Sequence, residues 1–234
     1  MCHLYKISTT SKIESRSIAG ISGICSLHSL EIATQILESK DESFAKKGVL
    51  FDLGCDDPLE SFRNIHPLRE SALSPGIERM QKYRGSLSLP VSLKEASGME
   101  AIFYHHACEH LLPDYSVSTS AYTFYQIDGV YKKLSSSNVG SVFVVAVTYI
   151  HDGERCGHAV PVYHNFNGLL LIPTNLDAVL EVSAYMEFLR KPFASMPDFL
   201  SKFQTCLHLS SLAIVCITVV EIRKNFTILN KATR

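Results

Sequence analysis

The segment SVFVVAVTYIHDGERCGHAVPVYHNFNGLLLIPTN, residues 141–175, constrains the fold more than any other part of the chain. Its apolar runs at 141–150, 158–164 and 169–172 are rich in β-branched residues and separated by Gly and Asn turn signals. That pattern predicts antiparallel strands joined by hairpins. Asn167–Gly168 is the strongest of these turn signals. A two-residue loop there sets His158 opposite Asp177, whereas a four-residue loop over 165–168 sets it opposite Asn175. Pro161 cannot donate to a ladder and can introduce a bulge, so both registers stay open. A further apolar run, LSSLAIVCITVVEI at 209–222, carries two serines and an acid and is too short to span a bilayer. It reads as another buried strand, at 211–222.

Helical spacing precedes these strands. From Cys25, the stretch CSLHSLEIATQILESK places Leu27, Leu30, Ala33 and Ile36–Leu37 on one helical face. Gly20, Ser22 and Gly23 form the preceding turn, which puts Cys25 at or beside a helix N-terminus. EASGMEAIFYHHACEHLL at 95–112 predicts a second helix, ended by Pro113. Between them lie a short apolar stretch at 48–54 and an irregular region punctuated by Pro58, Pro67, Pro75 and Pro90. Residues 1–20 read as a loosely ordered lead-in, and 21–234 as one domain. Helices first and an antiparallel sheet after make the expected class α+β.

Composition narrows the function. A formal net charge of −1 with no basic stripe gives no electrostatic footprint for nucleic acid or an anionic membrane. The seven cysteines are scattered and contain no Cys-x-x-Cys pair. They suit reduced thiols in a cytosol better than a disulfide framework or a zinc ribbon. The N-terminus shows no apolar h-region of a secretory signal.

Cys25 has the setting that a reactive thiol requires. Unpaired N–H groups and the positive dipole end at a helix start stabilise a thiolate, and the Cys25 N–H can serve as an oxyanion donor. The Gly157–His158 pair opens a strand whose hairpin partner carries Asn175 and Asp177. Either side chain can orient an imidazole across the hairpin. With an early G-x-C-S-L, a late GHAVPVY strand and an Asn or Asp on the next strand, the chain resembles the papain-like cysteine peptidases. That group includes the compact thiol-protease and deamidase effectors that bacteria deliver into host cells.

The resemblance implies a papain-like α+β domain, its helical N-terminal half packed on a C-terminal twisted antiparallel sheet. It implies a catalytic set of Cys25, His158 and Asn175 or Asp177, acting on an amide bond of a protein substrate as protease, deamidase or deubiquitinase. No cofactor or metal is required. It also implies a protein made by a bacterium that works in another cell's cytosol. Where the family carries a Gln or Asn oxyanion donor before the cysteine, this chain has Ala19 and Gly20.

Other readings compete. In GVLFDLGCDDP, Asp52, Gly54 and Cys55 match the first motif of S-adenosylmethionine-dependent methyltransferases, but Asp56, Asp57 and Pro58 replace its glycine turn. YHHACEHLL places His106 with His110 and His105 with Cys108 at helical spacing for zinc. Cys2 is a further candidate nucleophile once Met1 is removed. The principal rival is a non-enzymatic interaction module whose cysteine and histidine are structural.

Overall fold

The computed structural model describes residues 26, 29, 30, 32, 33, 36, 37, 75, 76, 78, 79, 82, 83, 92–111, 114–151, 154–172, 191–207, 209 and 211–224. In chain order, the described elements begin with helical residues within 26–37 (α1) and within 75–83 (α2). Helix α3 (Leu93–Leu111), strand β1 (Tyr115–Thr123), a 3-10 turn (Phe124–Gln126) and helix α4 (Ile127–Ser135) follow. Strands β2 (Val142–His151), β3 (Glu154–Asn165) and β4 (Gly168–Leu171), helix α5 (Met196–Leu207) and strand β5 (Ala213–Lys224) complete them.

The strands form one antiparallel sheet in the order β1-β5-β2-β3-β4. Residue type explains the order. β2 is buried on both faces over Val142–Val147, and β5 over Cys216–Ile222, as unbroken β-branched runs require. β1, with the sequence YSVSTSAYT, is the polar strand and lies at an edge; the four-residue β4 is the other.

Alternation along the strands sends side chains into two cores. On one face, Val142, Val144, Ala146, Ala159, Val220 and Ile222 pack against Leu30 and Ile36 of α1 and Phe103 and Tyr104 of α3. On the other, Phe143, Val145, Val147, Val160, Val162 and Val219 meet Val130 and Leu134 of α4 and Phe199 and Phe203 of α5. The class is α+β, as expected. Helices cover both faces, however, and the second layer comes from the C-terminal half, so the helices are not confined to the N-terminal half.

Local chemistry sets the helix starts. Ser92 and Glu95 form a capping box on α3, with Ser92 N–H donating to Glu95 Oε2 at 2.7 Å and Glu95 N–H to Ser92 Oγ at 3.3 Å. Before α5, Asp198 N–H donates to Ser195 Oγ at 3.3 Å and Ala194 N–H to Asp198 Oδ2 at 3.1 Å.

The β3–β4 turn has the register of the four-residue 165–168 alternative, closed by a tighter loop. Asn165 pairs with Gly168, so the two-residue loop is Phe166–Asn167 rather than Asn167–Gly168. Asn165 Oδ1 accepts the N–H groups of Asn167 at 2.8 Å and Gly168 at 3.1 Å, an Asx turn that moves the loop one residue back. Gly168 then sits at φ +128°, where a side chain is strained and its Cβ would come within 3.1 Å of Pro192. β3 also starts at Glu154, four residues before His158, because it pairs with β2 as far as His151↔Glu154.

Candidate active site

Of the catalytic set read from the sequence, only His158 lies within the described part of the chain. Cys25, Asn175 and Asp177 lie outside it, as do Cys2 and the 48–58 stretch.

The helix that follows Cys25 is fastened at three points. The Tyr104 hydroxyl donates to the Ser26 carbonyl at 3.4 Å, and the fully buried Tyr104 ring packs edge-on against Phe103. The Ser29 hydroxyl donates to the Ala159 carbonyl at 3.0 Å, both residues having no exposed surface. At the other end, the Tyr115 hydroxyl donates to the Leu37 carbonyl at 3.4 Å. The first turn of α1 is therefore docked on the backbone of the residue that follows His158. A dry hydroxyl–carbonyl bond of this kind holds its geometry because no water can take either partner.

The carbonyl that Ser29 meets lies on the β4 side of β3. Pro161 accepts the Ile172 N–H at 2.9 Å, and carbonyls two residues apart on a strand point to the same side. Ala159 is beyond the last described pair on that side, Val162↔Leu171, and its carbonyl accepts the Ser29 hydroxyl. Among the described residues the register runs from Asn165↔Gly168 to Val162↔Leu171, the register of the four-residue loop considered from the sequence; Asn175 and Asp177 lie outside the described residues.

His158 pairs with Val147 and has no exposed surface. Its side chain points to the face covered by α5, where its ring lies 5.7 Å from that of Phe203 with 55° between planes. Ala159 takes the opposite face, under α1. The histidine thus belongs to one core while the helix that follows Cys25 packs into the other.

The remaining candidates are placed plainly. Among the described residues no group of His, Cys, Asp and Glu has the arrangement for a metal ion. His105 is exposed, His106 is buried beside Gly76, and burial pushes the Cys108 thiol up to about 12, far from a ligating thiolate. Cys206 and Cys216 are buried too. No described helix is long and apolar enough to cross a membrane.

A second polar feature lies at the far end of the sheet. The Glu221 carboxylate, with a side chain only 5% exposed, meets Lys133 Nζ at 2.7 Å and Arg223 Nε at 2.6 Å. Burial alone would push this carboxyl up, but bonding and charge from Arg223 and Lys133 outweigh it and hold it below the ordinary glutamate value. This triad ties α4 to β5 and is remote from His158 along the sheet.

Tyr104, Ser29 and Phe203 were not flagged from sequence. A tyrosine, a serine or a phenylalanine inside a helical stripe reads as ordinary packing, and only the fold shows what each one touches.

No curated protein matches this chain. Its fold is similar to the crystal structure of the Pseudomonas avirulence protein AvrPphB at 10% sequence identity and a TM-score of 0.41, over 89% of this chain and 98% of that one. A family model matches residues 1–230, and the chain belongs to that family, described as protein of unknown function DUF1561.

Proposed function

We propose that this chain is a cysteine hydrolase of papain-like arrangement that attacks an amide bond in a protein substrate. The observation that carries the reading is the Ser29–Ala159 hydrogen bond. Ser29 stands four residues, about one helical turn, after Cys25 in sequence, and its acceptor is the neighbour of His158. The β3–β4 register adds support: extended by four residues beyond Val162↔Leu171, it would set Asn175 opposite His158. Directly opposed residues of an antiparallel pair share a face with Cβ atoms about 4.5–5.5 Å apart, which is within reach for an amide to orient an imidazole. Asn175, not Asp177, is therefore the third residue of the proposal.

In this mechanism His158 takes the proton of the Cys25 thiol, and the thiolate adds to the amide carbonyl carbon. The oxyanion is met by backbone N–H groups, that of Cys25 among them. Collapse breaks the C–N bond as His158 returns the proton to the leaving amine, leaving a thioester. Water, deprotonated by His158, then releases the acid and restores the thiol. The same steps serve a peptide bond or a glutamine side chain.

A second reading has its own observation. A histidine with no exposed surface, packed on Phe203, is also what a structural core histidine looks like. Limiting iodoacetamide at pH 7 followed by peptide mapping separates the two readings. The hydrolase requires Cys25 to be alkylated ahead of the other six cysteines, at a rate that drops at least tenfold in His158→Gln. Uniform labelling, or a rate indifferent to His158, ends the hydrolase reading and leaves the interaction module.

A further inference from the structure

We infer that Phe203 of α5 is the residue that positions His158, setting the direction of its imidazole; the consequence for rate rests on the hydrolase reading above. The ring of His158 is flanked by Val147 on the neighbouring strand and by Phe203 on the helix above. Phe203 is itself immobilised. Its ring meets Tyr149 edge-on at 6.2 Å and stacks on Phe199 at 6.0 Å with 24° between planes, and Phe199 in turn meets Phe193 at 5.2 Å. Phe199 and Phe203 have no exposed surface, and Phe193 is 2% exposed.

A buried ring held on several sides has one rotamer, and an imidazole against it inherits that constraint. Aromatic pairs also prefer particular interplanar angles, which a branched aliphatic side chain does not impose. A general base must be held in a near-attack geometry, and a displacement of about 1 Å can cost on the order of a hundredfold in rate. Phe199 provides the internal control. It occupies the same core with the same burial, but its ring partners are Phe193 and Phe203.

The test compares Phe203→Leu with Phe199→Leu in the full chain. The imidazole signals of His158, identified by their loss in His158→Gln, are followed by long-range nitrogen–proton correlation spectra on histidine-labelled protein. The alkylation rate of Cys25 is measured alongside. Phe203→Leu is expected to shift and broaden the His158 signals and to slow Cys25 alkylation about tenfold or more. Phe199→Leu removes one of the rings that hold Phe203 but leaves the Phe203 ring against His158, and with a comparable loss of thermal stability it is expected to move both clearly less. If the two variants move the His158 signals equally, or neither does, the positioning role is overturned. Should Phe203→Leu fail to fold, Phe203→Met keeps more of the volume and is compared in the same way. The two proposals fail separately. Displaced His158 signals with no privileged reactivity of wild-type Cys25 retain the positioning and sink the hydrolase. Privileged Cys25 reactivity with His158 signals unmoved by Phe203→Leu retains the hydrolase and sinks the positioning.

Discussion

Ser29→Ala removes a hydrogen bond that ties the first turn of α1 to the strand of His158. Both partners are without exposed surface, so water cannot replace the hydroxyl at the Ala159 carbonyl. Leaving a buried acceptor short of its partner costs about 1–3 kcal/mol. Alanine is the better helix former and returns a few tenths of a kcal/mol. The net expectation is a loss of about 2 kcal/mol, and in a chain of this size each kcal/mol moves Tm by roughly 2–4 °C. The predicted fall is thus about 4–8 °C by calorimetry or circular dichroism. Ser136→Ala is the control: its exposed hydroxyl bonds only the Lys133 carbonyl one turn back, and the expected change is within about 0.5 kcal/mol. The hydrolase reading adds that Ser29→Ala slows iodoacetamide capture of Cys25 more than its small stability loss explains. A Tm within 1 °C or so of wild type, or no greater loss than in Ser136→Ala, would refute the docking of α1 as described.

The remaining predictions concern charge and thiols. Glu221→Gln is expected to cost about 1–2 kcal/mol, below the roughly 3–5 kcal/mol of a fully buried broken pair, because Lys133 and Arg223 are partly in water and can rehydrate. Since the folded-state value of Glu221 is depressed, its contribution is fully present above the ordinary value of 4.5 and is lost as pH falls through the lower folded value. Urea unfolding from pH 7 down to pH 3 should therefore show an acid limb that is shallower in Glu221→Gln, and parallel curves would contradict the triad. Cys108 should stay unmodified by iodoacetamide in the native protein at pH 8 and react only on unfolding, because burial pushes its thiol up to about 12. Native-state labelling of Cys108 would show that α3 is not packed as described.

Much of the fold is legible in the residues because strands and helices are written by local periodicity. The β-branched run read at 211–222 is β5 at Ala213–Lys224, and the apolar stripe read at 95–112 is α3 at Leu93–Leu111. What escaped detection has physical reasons. β1 is an edge strand of serines and threonines, so the alternation that marks a half-buried strand is muted. α4 and α5 are short helices lying between strands in sequence. The Ser195–Asp198 cap that opens α5 is a local signal of the sequence, with Asp198 N–H donating to Ser195 Oγ. The two hairpin registers open in the sequence are separated only by the fold, where Asn165 captures two backbone N–H groups that the dipeptide signal alone does not reveal.

By itself, the sequence determines that His158, Val160 and Val162 share one side of a strand and that Ala159 takes the other, since a period of two is a property of the extended backbone. It also determines that a cysteine stands one turn before Ser29 on a helical stretch. Only the tertiary structure decides which helix covers which side. Burying Leu30 and Ile36 against Ala159 puts α1 on one face, and burying Phe199 and Phe203 against Val160 puts α5 over His158. That choice rests on which apolar surfaces fit together across the sheet, a long-range matter of packing that no local pattern encodes. It is also what turns Ser29 and Phe203 from ordinary helical residues into the neighbours of a candidate catalytic histidine.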